Sequence, residues 1–199
     1  MRHRQPSARD RVYYGQGMTT RHDPIELVPY DAAWPASFEL QREQIAGALA
    51  PWLIGTVDHI GSTSVPGLDA KPIIDMLARV ADYDTGDLVV AMQTIHWVRA
   101  PEQHDREARK WSFCFPSIAR RTHHLHVVED RSPDWPTWIA FRDHLRTHPA
   151  DAAEYARIKL KLADVDDRDR PAYRAGKAPF IEELVRRPQD PHDSTVVVP

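Results

Sequence analysis

The sequence is poor in several features that mark whole classes of protein. Its 199 residues include one cysteine, Cys114, so a disulfide within the chain is excluded. No apolar run approaches the roughly eighteen residues of a membrane span, and residues 1–18 are Arg-rich and lack the hydrophobic segment of a secretory signal. We therefore expect a cytoplasmic protein that contacts no membrane.

An excess of charge of one sign is also missing. The formal net charge is −3, and acidic and basic residues are mixed along the chain. Dedicated nucleic-acid-binding domains usually present a strongly basic face, so we do not expect a nucleic-acid partner. Small phosphorylated ligands are compatible with this charge. The length suits one domain with a substantial hydrophobic core.

Two familiar phosphate-binding motifs are absent. A P-loop needs four residues between its first glycine and a Gly-Lys-Ser/Thr triplet, whereas five residues separate Gly61 from Gly67, and Lys71 follows later. No Gly-x-Gly-x-x-Gly opens a helix, which excludes the dinucleotide-binding fingerprint. A phosphate site in this chain must use another loop.

Segment 58–77 is the part of the sequence that predicts such a loop. Its middle combines glycines, hydroxyl side chains and prolines between two apolar stretches, which predicts a strand, a tight loop and a second strand. Glycines let the backbone approach a ligand, and successive N–H groups in such a turn suit phosphate. Asp75 then lies inside an apolar strand, where a charge is costly unless it faces a cleft, a cation or a metal. The segment therefore predicts an anion-binding loop followed by a metal ligand.

This segment resembles the hallmark of the GrpB family. The matching residues are His-Ile-Gly-Ser-Thr-Ser-Val-Pro-Gly-Leu at 59–68 and Ala-Lys-Pro-Ile-Ile-Asp at 70–75. Further matches extend the resemblance over about 25–185, and some members of the family are fused to dephospho-coenzyme A kinase. The resemblance implies an α+β, nucleotidyltransferase-like fold with a small mixed β-sheet flanked by helices and a C-terminal helical segment.

Periodicity predicts how the rest of the chain is organised. We expect a flexible leader over 1–22, one domain over 23–187 that is helical from about 133, and a disordered tail over 188–199. Helices are predicted over about 34–50, 82–96, 135–146, 151–165 and, as a short final helix, 176–187. The polar stretch 100–108 is predicted to be a loop or lid near the site.

Two segments predict an antiparallel hairpin. Aromatic residues alternate in 109–115, and we interpret them as core residues rather than as a platform for nucleotide bases. In 122–129, strand geometry places His124 and His126 on the same face. The histidine pair is thus predicted to project from one side of the sheet.

The resemblance implies a metal-dependent nucleotidyl transfer, but the expected set of carboxylates is incomplete. Such sites hold two divalent ions with two or three carboxylates. Leu77 stands where the superfamily has its second acid, and His126 stands where it has its third. We expect one Mg²⁺ or Mn²⁺ ion, or none, rather than two, with Asp75 and His126 as ligands. An imidazole favours zinc, manganese or iron over magnesium.

The predicted site residues fall into two groups. Catalytic roles are predicted for Asp75, His124 and His126, and the two histidines are interpreted as a proton-transfer pair or as donors to phosphate oxygens. The predicted nucleotide- and phosphate-binding residues are His59, Gly61, Ser62, Thr63, Ser64, Lys71 and Arg109. His59 fits a buried strand histidine equally well, and Arg109 fits a phosphate clamp or a surface salt bridge.

Three functions are compatible with these residues. The first is binding of a nucleoside triphosphate or a related phosphorylated ligand, with transfer of a nucleotidyl group to a small-molecule acceptor. The second is a non-catalytic ligand-binding or regulatory module of the coenzyme A pathway, which the missing carboxylate favours. The third follows from residues 124–128, which resemble the end of a histidine-triad nucleotide hydrolase motif. That motif would need a histidine at Thr122, and it leaves the glycine-serine loop unexplained.

Overall fold

The computed structural model describes residues 24–84, 87–102 and 104–187. Within them, five strands form one mixed sheet and five helices pack on its two faces. The strands are β1 (Leu53–Ile60), β2 (Ile74–Val80), β3 (Val98–Arg99), β4 (Lys110–Phe115) and β5 (His123–Glu129). The helices are α1 (Trp34–Leu49), α2 (Asp87–Thr94), α3 (Asp134–Thr147), α4 (Pro149–Val165) and α5 (Arg170–Arg186). The predicted leader and tail lie outside the described residues.

The sheet has the order β1-β2-β5-β4-β3. Strands β2 and β5 are parallel, and every other neighbouring pair is antiparallel. The predicted α+β class with a small mixed sheet and flanking helices is confirmed. The predicted hairpin is confirmed as well, since β4 pairs with β5 with Ser112 opposite His126.

One face of the sheet is apolar and is covered by α1 and α2. Pro35 lies in the first turn of α1, where a proline needs no N–H donor, and Phe38, Ile45 and Leu49 point inward at helical spacing. They pack with the inward side chains of the strands, among them Phe113, which is fully buried. The alternating aromatic residues of β4 therefore belong to the core, as the sequence predicts.

The opposite face is covered by the three C-terminal helices. Leu145, Tyr155 and Leu184, one from each of α3, α4 and α5, form an apolar cluster with Val65 and Leu68 of the loop between β1 and β2. This cluster fixes the loop against the helices and leaves polar side chains of β2 and β5 on the same face. None of the helices in the described ranges is both long and apolar enough to cross a membrane.

The last helix is longer than the sequence analysis predicts. It begins at Arg170 rather than near Gly176, because the Asp169 side chain accepts a hydrogen bond from the Ala172 N–H at 2.8 Å and Pro171 lies in the first turn. Gly176 lies inside this helix, at a point where α4 packs too closely to leave room for a side chain. A Cβ atom at this position would stand 2.5 Å from the Leu162 side chain. The helix predicted over 82–96 spans Asp87–Thr94 in the structure.

Candidate metal and phosphate site

The parallel pairing of β2 and β5 brings three potential metal ligands together. Asp75 lies opposite His124, and Leu77 lies opposite His126. Because side chains alternate along a strand, Asp75, His124 and His126 all project from the face covered by the C-terminal helices. Each of the three offers a ligand atom, and these atoms lie within 4.8 Å of one another. We call these residues the Asp-His-His cluster.

Hydrogen-bonding capacity in this cluster is left unused. Nδ1 of His126 and Nε2 of His124 are buried and have no hydrogen-bond partner within the described ranges. The nearest carboxylate oxygen to His124 Nδ1 is Asp75 Oδ1, at 3.6 Å. Buried polar atoms are nearly always satisfied in folded proteins, so two open nitrogens beside one carboxylate indicate a place for a ligand.

The surroundings of His126 keep its ring neutral. Burial lowers the pKa of His126 well below its usual value, and its neighbours His124, Lys110 and Arg121 lower it further. The ring packs against His124, with ring centroids 4.2 Å apart, and against Trp138 at 4.9 Å. A neutral imidazole keeps a lone pair, which is the form that binds a metal ion.

Gly61 brings the loop backbone directly onto the Asp75 carboxylate. Its φ angle is +70°, and a Cβ atom at this position would stand 2.7 Å from Asp75 Oδ2. Both observations require glycine, because L side chains rarely adopt this conformation and the space is already filled. The loop and the Asp-His-His cluster are therefore parts of one site.

The loop hydroxyls mainly hold the loop in shape. Thr63 Oγ1 lies 3.0 Å from Nε2 of His59, and the Ser64 hydroxyl donates to the Gly61 carbonyl at 2.6 Å. The Ser62 hydroxyl oxygen accepts a hydrogen bond from Lys159 Nζ at 3.0 Å. The N–H groups of Ser64 and Val65 donate within the turn, to the carbonyls of Gly61 and Ser62. A phosphate would therefore have to use the N–H groups at the start of the loop and the Lys159-bound Ser62 hydroxyl.

His59 supports the loop from the other face of the sheet. It pairs with Met76 across β1 and β2, and its ring stacks on Phe38 with centroids 4.7 Å apart. Burial lowers the pKa of His59 to about 4, with help from the charge of Arg146. The structure places His59 behind Thr63 rather than beside the Asp-His-His cluster.

The structure does not bring Arg109 to the other predicted residues. It lies just before β4 and forms two hydrogen bonds of 2.7 Å with Glu129 at the far end of β5. It also forms ion pairs with Asp82 and Asp84. Because strand residues are spaced about 3.3 Å apart, this end of β5 lies well away from His124. The surface salt bridge that the sequence left open is the arrangement found.

Two lysines beside the loop were missed by the sequence analysis. Lys159 of α4 and Lys177 of α5 reach this region, and burial lowers the pKa of Lys159 to about 7. Lys71, which was predicted, lies over the Tyr173 ring at 5.1 Å. The sequence does contain a signal for Lys159, because it interrupts the apolar stripe that runs from Tyr155 to Leu162 at helical spacing.

Glu102 adds a carboxylate from the predicted loop 100–108. Its Oε1 lies 3.8 Å from His124 Nε2 and 3.7 Å from Arg174. Burial alone raises the pKa of the Glu102 carboxyl, but the charges of His124, Lys110 and Arg174 outweigh that effect and lower it. Glu102 is therefore ionised at neutral pH. It links segment 100–108 to the Asp-His-His cluster and to α5.

The residues present fit a single divalent cation. Metal–nitrogen and metal–oxygen bonds of about 2.0–2.2 Å would need only small side-chain movements from the observed separations. Two imidazoles and one carboxylate suit zinc, manganese or iron. Leu77 is fully buried among apolar residues, so no second carboxylate from β2 adjoins Asp75 on this face.

Comparison with known proteins places the chain in a family. A family model described as GrpB protein matches residues 24–187. A UPF0157 protein of Pseudomonas aeruginosa is 38% identical over 167 residues, which cover 83% of this chain and 68% of that protein. The crystal structure of conserved protein GrpB from Enterococcus faecalis superposes with a TM-score of 0.70 at 30% identity, over 80% of this chain and 97% of that one.

A dephospho-CoA kinase of Mycolicibacterium paratuberculosis is also similar. It is 26% identical over 210 residues, which cover 92% of this chain and 51% of the kinase. This chain therefore matches about half of that kinase. Because the family model covers most of the sequence, the chain belongs to the GrpB family.

Proposed function

We propose that this protein binds a nucleoside triphosphate, or a related phosphorylated ligand, together with one divalent cation. The Asp-His-His cluster would hold the cation, and the loop at Gly61–Ser64 would hold phosphate oxygens. The observation that carries the proposal is the contact between these two parts. Gly61 has no room for a side chain because the Asp75 carboxylate lies directly against it.

The geometry supports a nucleotidyltransferase-like use of the site. A glycine-serine loop precedes a strand that carries an acid, in a mixed sheet flanked by helices. A cation at Asp75 would neutralise phosphate charge next to the loop, which is the main electrostatic requirement of phosphoryl chemistry. The activity that this arrangement supports is transfer of a nucleotidyl group to a small-molecule acceptor, with Asp75, His124 and His126 at the reacting phosphate.

A non-catalytic role is the second candidate, and one specific observation favours it. The position of the second acid is the fully buried Leu77, which contacts Ile60 and Val128 rather than the ligand space. With only one carboxylate from β2, the site would hold one ion, which suffices for binding. The similarity to part of a dephospho-CoA kinase supports a regulatory module of the coenzyme A pathway.

The histidine-triad hydrolase is not proposed. Thr122 stands at the place of the missing histidine, and its hydroxyl donates to the Phe115 carbonyl at 3.3 Å. His123, its neighbour, lies on the opposite face of the sheet from His124 and is 3.3 Å from the Ser37 hydroxyl. Neither residue can complete the triad.

Isothermal titration with ATP, GTP, CTP and UTP tests the proposal. Each nucleotide is titrated without metal and with Mg²⁺, Mn²⁺ or Zn²⁺, into the wild type and into Asp75→Asn. The matched control is Asp84→Asn, which changes a carboxylate that is 73% exposed and lies near Arg109. We expect metal-dependent binding in the wild type and in Asp84→Asn, and a loss of at least tenfold in Asp75→Asn.

Measuring pyrophosphate release alongside these titrations separates the two candidate functions. Release of pyrophosphate from the bound nucleotide in the presence of metabolite pools, lost in Asp75→Asn, would establish transfer. Metal-dependent binding without turnover would establish the module. Equal affinity in Asp75→Asn and the wild type would contradict a site built on the Asp-His-His cluster.

A further inference from the structure

One lysine from each of two C-terminal helices, Lys159 and Lys177, lies near the phosphate loop. Lys159 of α4 is only 2% exposed. Its Nζ donates to the Ser62 hydroxyl at 3.0 Å and to the Asp69 carbonyl. Lys177 of α5 is half-buried, and its Nζ lies 4.6 Å from the centre of the Tyr173 ring. Both ammonium groups are thus drawn away from bulk water.

Neither lysine forms a close ion pair with a carboxylate of the described residues. Within residues 24–84, 87–102 and 104–187, no carboxylate oxygen lies within the 4.0 Å ion-pair distance of Lys159 or Lys177. Burying a charge without a partner is costly, so such a group either loses its charge or gains a partner from outside. Hydrogen bonds to a hydroxyl and a carbonyl satisfy Lys159 only in part, because they bring no negative charge.

The electrostatics of the two lysines agree with this geometry. Burial lowers the pKa of Lys177, and the Asp75 carboxylate opposes this effect. Burial also lowers the pKa of Lys159, and the charge of Lys177 adds to it. Lys177 also shares the Tyr173 ring with Lys71, whose Nζ lies 5.1 Å from the ring centre. This shared ring places Lys177 beside the part of the loop that precedes β2. A group bound between the cluster and the loop would lie within reach of both lysines.

We propose that Lys159 and Lys177 are anion-binding residues whose missing counter-ion is the phosphate chain of the ligand, so that the ligand is an oligophosphate ester. This inference rests on the proposed function and specifies its ligand class. Once the Asp75 carboxylate is counted, a divalent cation and two charged lysines leave a net charge of about +3, which is more than a single phosphate of about −2 balances. Each phosphate carries about −1.5 to −2 at neutral pH when terminal, so a diphosphate or triphosphate chain supplies the balance.

The C-terminal helices then have a binding role in addition to a packing role. Helix α4 would hold the loop through Lys159 and Ser62, and α5 would place Lys177 next to the metal-bound end of the phosphate chain. An uncharged ligand, or one with a single carboxylate, would leave the two ammonium groups uncompensated. Oligophosphates are therefore expected to bind more tightly than monophosphates of the same nucleoside.

Titration with inorganic triphosphate and inorganic phosphate, each with and without Zn²⁺, tests this inference. The variants are Lys177→Met, Lys159→Met and Lys159→Arg, and the matched control is Lys161→Met, which changes an exposed lysine two residues along α4. We expect triphosphate affinity to fall at least tenfold in Lys177→Met and Lys159→Met and to be unchanged in Lys161→Met. Lys159→Arg, which keeps the charge, should retain more affinity than Lys159→Met.

The outcomes distinguish this inference from the proposed function. Triphosphate binding that is equal in Lys177→Met and Lys161→Met would overturn the inference while the loop and the cluster kept their roles. If the wild type binds zinc through Asp75 but binds no triphosphate, the oligophosphate ligand class is overturned and the proposed cation site stands. Absence of both zinc and triphosphate binding would overturn the proposed function itself.

Discussion

Two aspartates show how differently this fold treats a carboxylate. Asp105 is almost fully buried and has partners on every side, namely the guanidinium of Arg99 at 3.2 Å, the Ser112 hydroxyl at 3.1 Å and the Glu102 N–H at 3.0 Å. Asp75 is more exposed, and its nearest basic atom in the described part of the chain is His124 Nδ1, at 3.6 Å. Asp105 is part of a complete hydrogen-bond and ion-pair network, whereas Asp75 has no such network and is the carboxylate that we propose as a metal ligand.

The comparison gives each carboxylate a different expected response to substitution. Removing the carboxylate of Asp105 leaves a buried arginine unpaired, so stability should fall. Removing the charge of Asp75 breaks no ion pair with an arginine or lysine of the described residues, so binding should fall more than stability. The following variants test that division, from the largest expected effect to the smallest.

Asp105→Ala should give the largest loss of stability. The Arg99–Asp105 pair is only 7% and 4% exposed, and breaking one side of a buried pair typically costs about 3–5 kcal/mol. Urea denaturation of Asp105→Ala and the wild type measures the free energy of unfolding. A loss as small as that of an exposed carboxylate variant such as Asp84→Asn would show that the network around Asp105 is dispensable.

Gly61→Ala should damage both stability and cation binding. A φ angle of +70° costs an L residue about 1–2 kcal/mol. The new Cβ atom would also stand only 2.7 Å from Asp75 Oδ2, so the carboxylate would have to move. Gly67→Ala is the matched control, since Gly67 has φ +77° but no atom within 4 Å of its added Cβ. Both variants should lose stability in urea, and only Gly61→Ala should lose zinc affinity, by at least tenfold. Equal zinc affinity in the two variants would separate Gly61 from the site.

Lys159→Met should change how stability depends on pH. The pKa of Lys159 is lowered to about 7 by burial, Lys177 and Lys71, against the attraction of Asp69. The unfolded chain therefore binds more protons than the folded one from about pH 7 up to the usual lysine pKa of about 10.4, and Lys159 makes wild-type stability rise with pH in that window. The unfolding free energy of the variant minus that of the wild type should be largest at pH 7 and should fall towards pH 10. A constant difference would contradict the lowered pKa.

Arg109→Gln should have the smallest effect of the set. Arg109 is 43% exposed, and its ion pairs with Glu129 and Asp82 are screened by water. Thermal unfolding should shift less than in Asp105→Ala, and nucleotide affinity should equal that of the wild type. Weaker nucleotide binding in Arg109→Gln than in the wild type would instead support Arg109 as a phosphate clamp, the alternative that the sequence allowed.

Local patterns in the sequence predict the sheet side of the site well. Alternation in 122–129 places His124 and His126 on one face, and the glycine-serine segment before Asp75 predicts a loop beside it. These features depend on residues near one another in the chain, and the GrpB resemblance covers them. Arg109 shows the limit, because its partners come from two other segments, Glu129 from β5 and Asp82 and Asp84 from the segment after β2, and no local pattern predicts that these segments meet.

The helical side of the site depends on tertiary packing. Lys159 lies ninety-odd residues from Ser62 along the chain, and the two meet only because α4 packs against the loop through Val65 and Leu68. A lysine within an apolar stripe is a visible anomaly, but its target is set by the arrangement of three helices. The beginning of α5 at Arg170 was readable from Asp169 and Pro171, and the internal Gly176 obscured it.

Anomalous X-ray diffraction from crystals grown with Zn²⁺ tests the central claim most directly. We predict one anomalous peak about 2.0–2.3 Å from a carboxylate oxygen of Asp75 and from imidazole nitrogens of His124 and His126. The peak should be absent from crystals of Asp75→Asn grown in the same conditions. A well-ordered wild-type crystal with no peak among these three residues, at a zinc concentration that loads other sites, would contradict a metal site at this cluster.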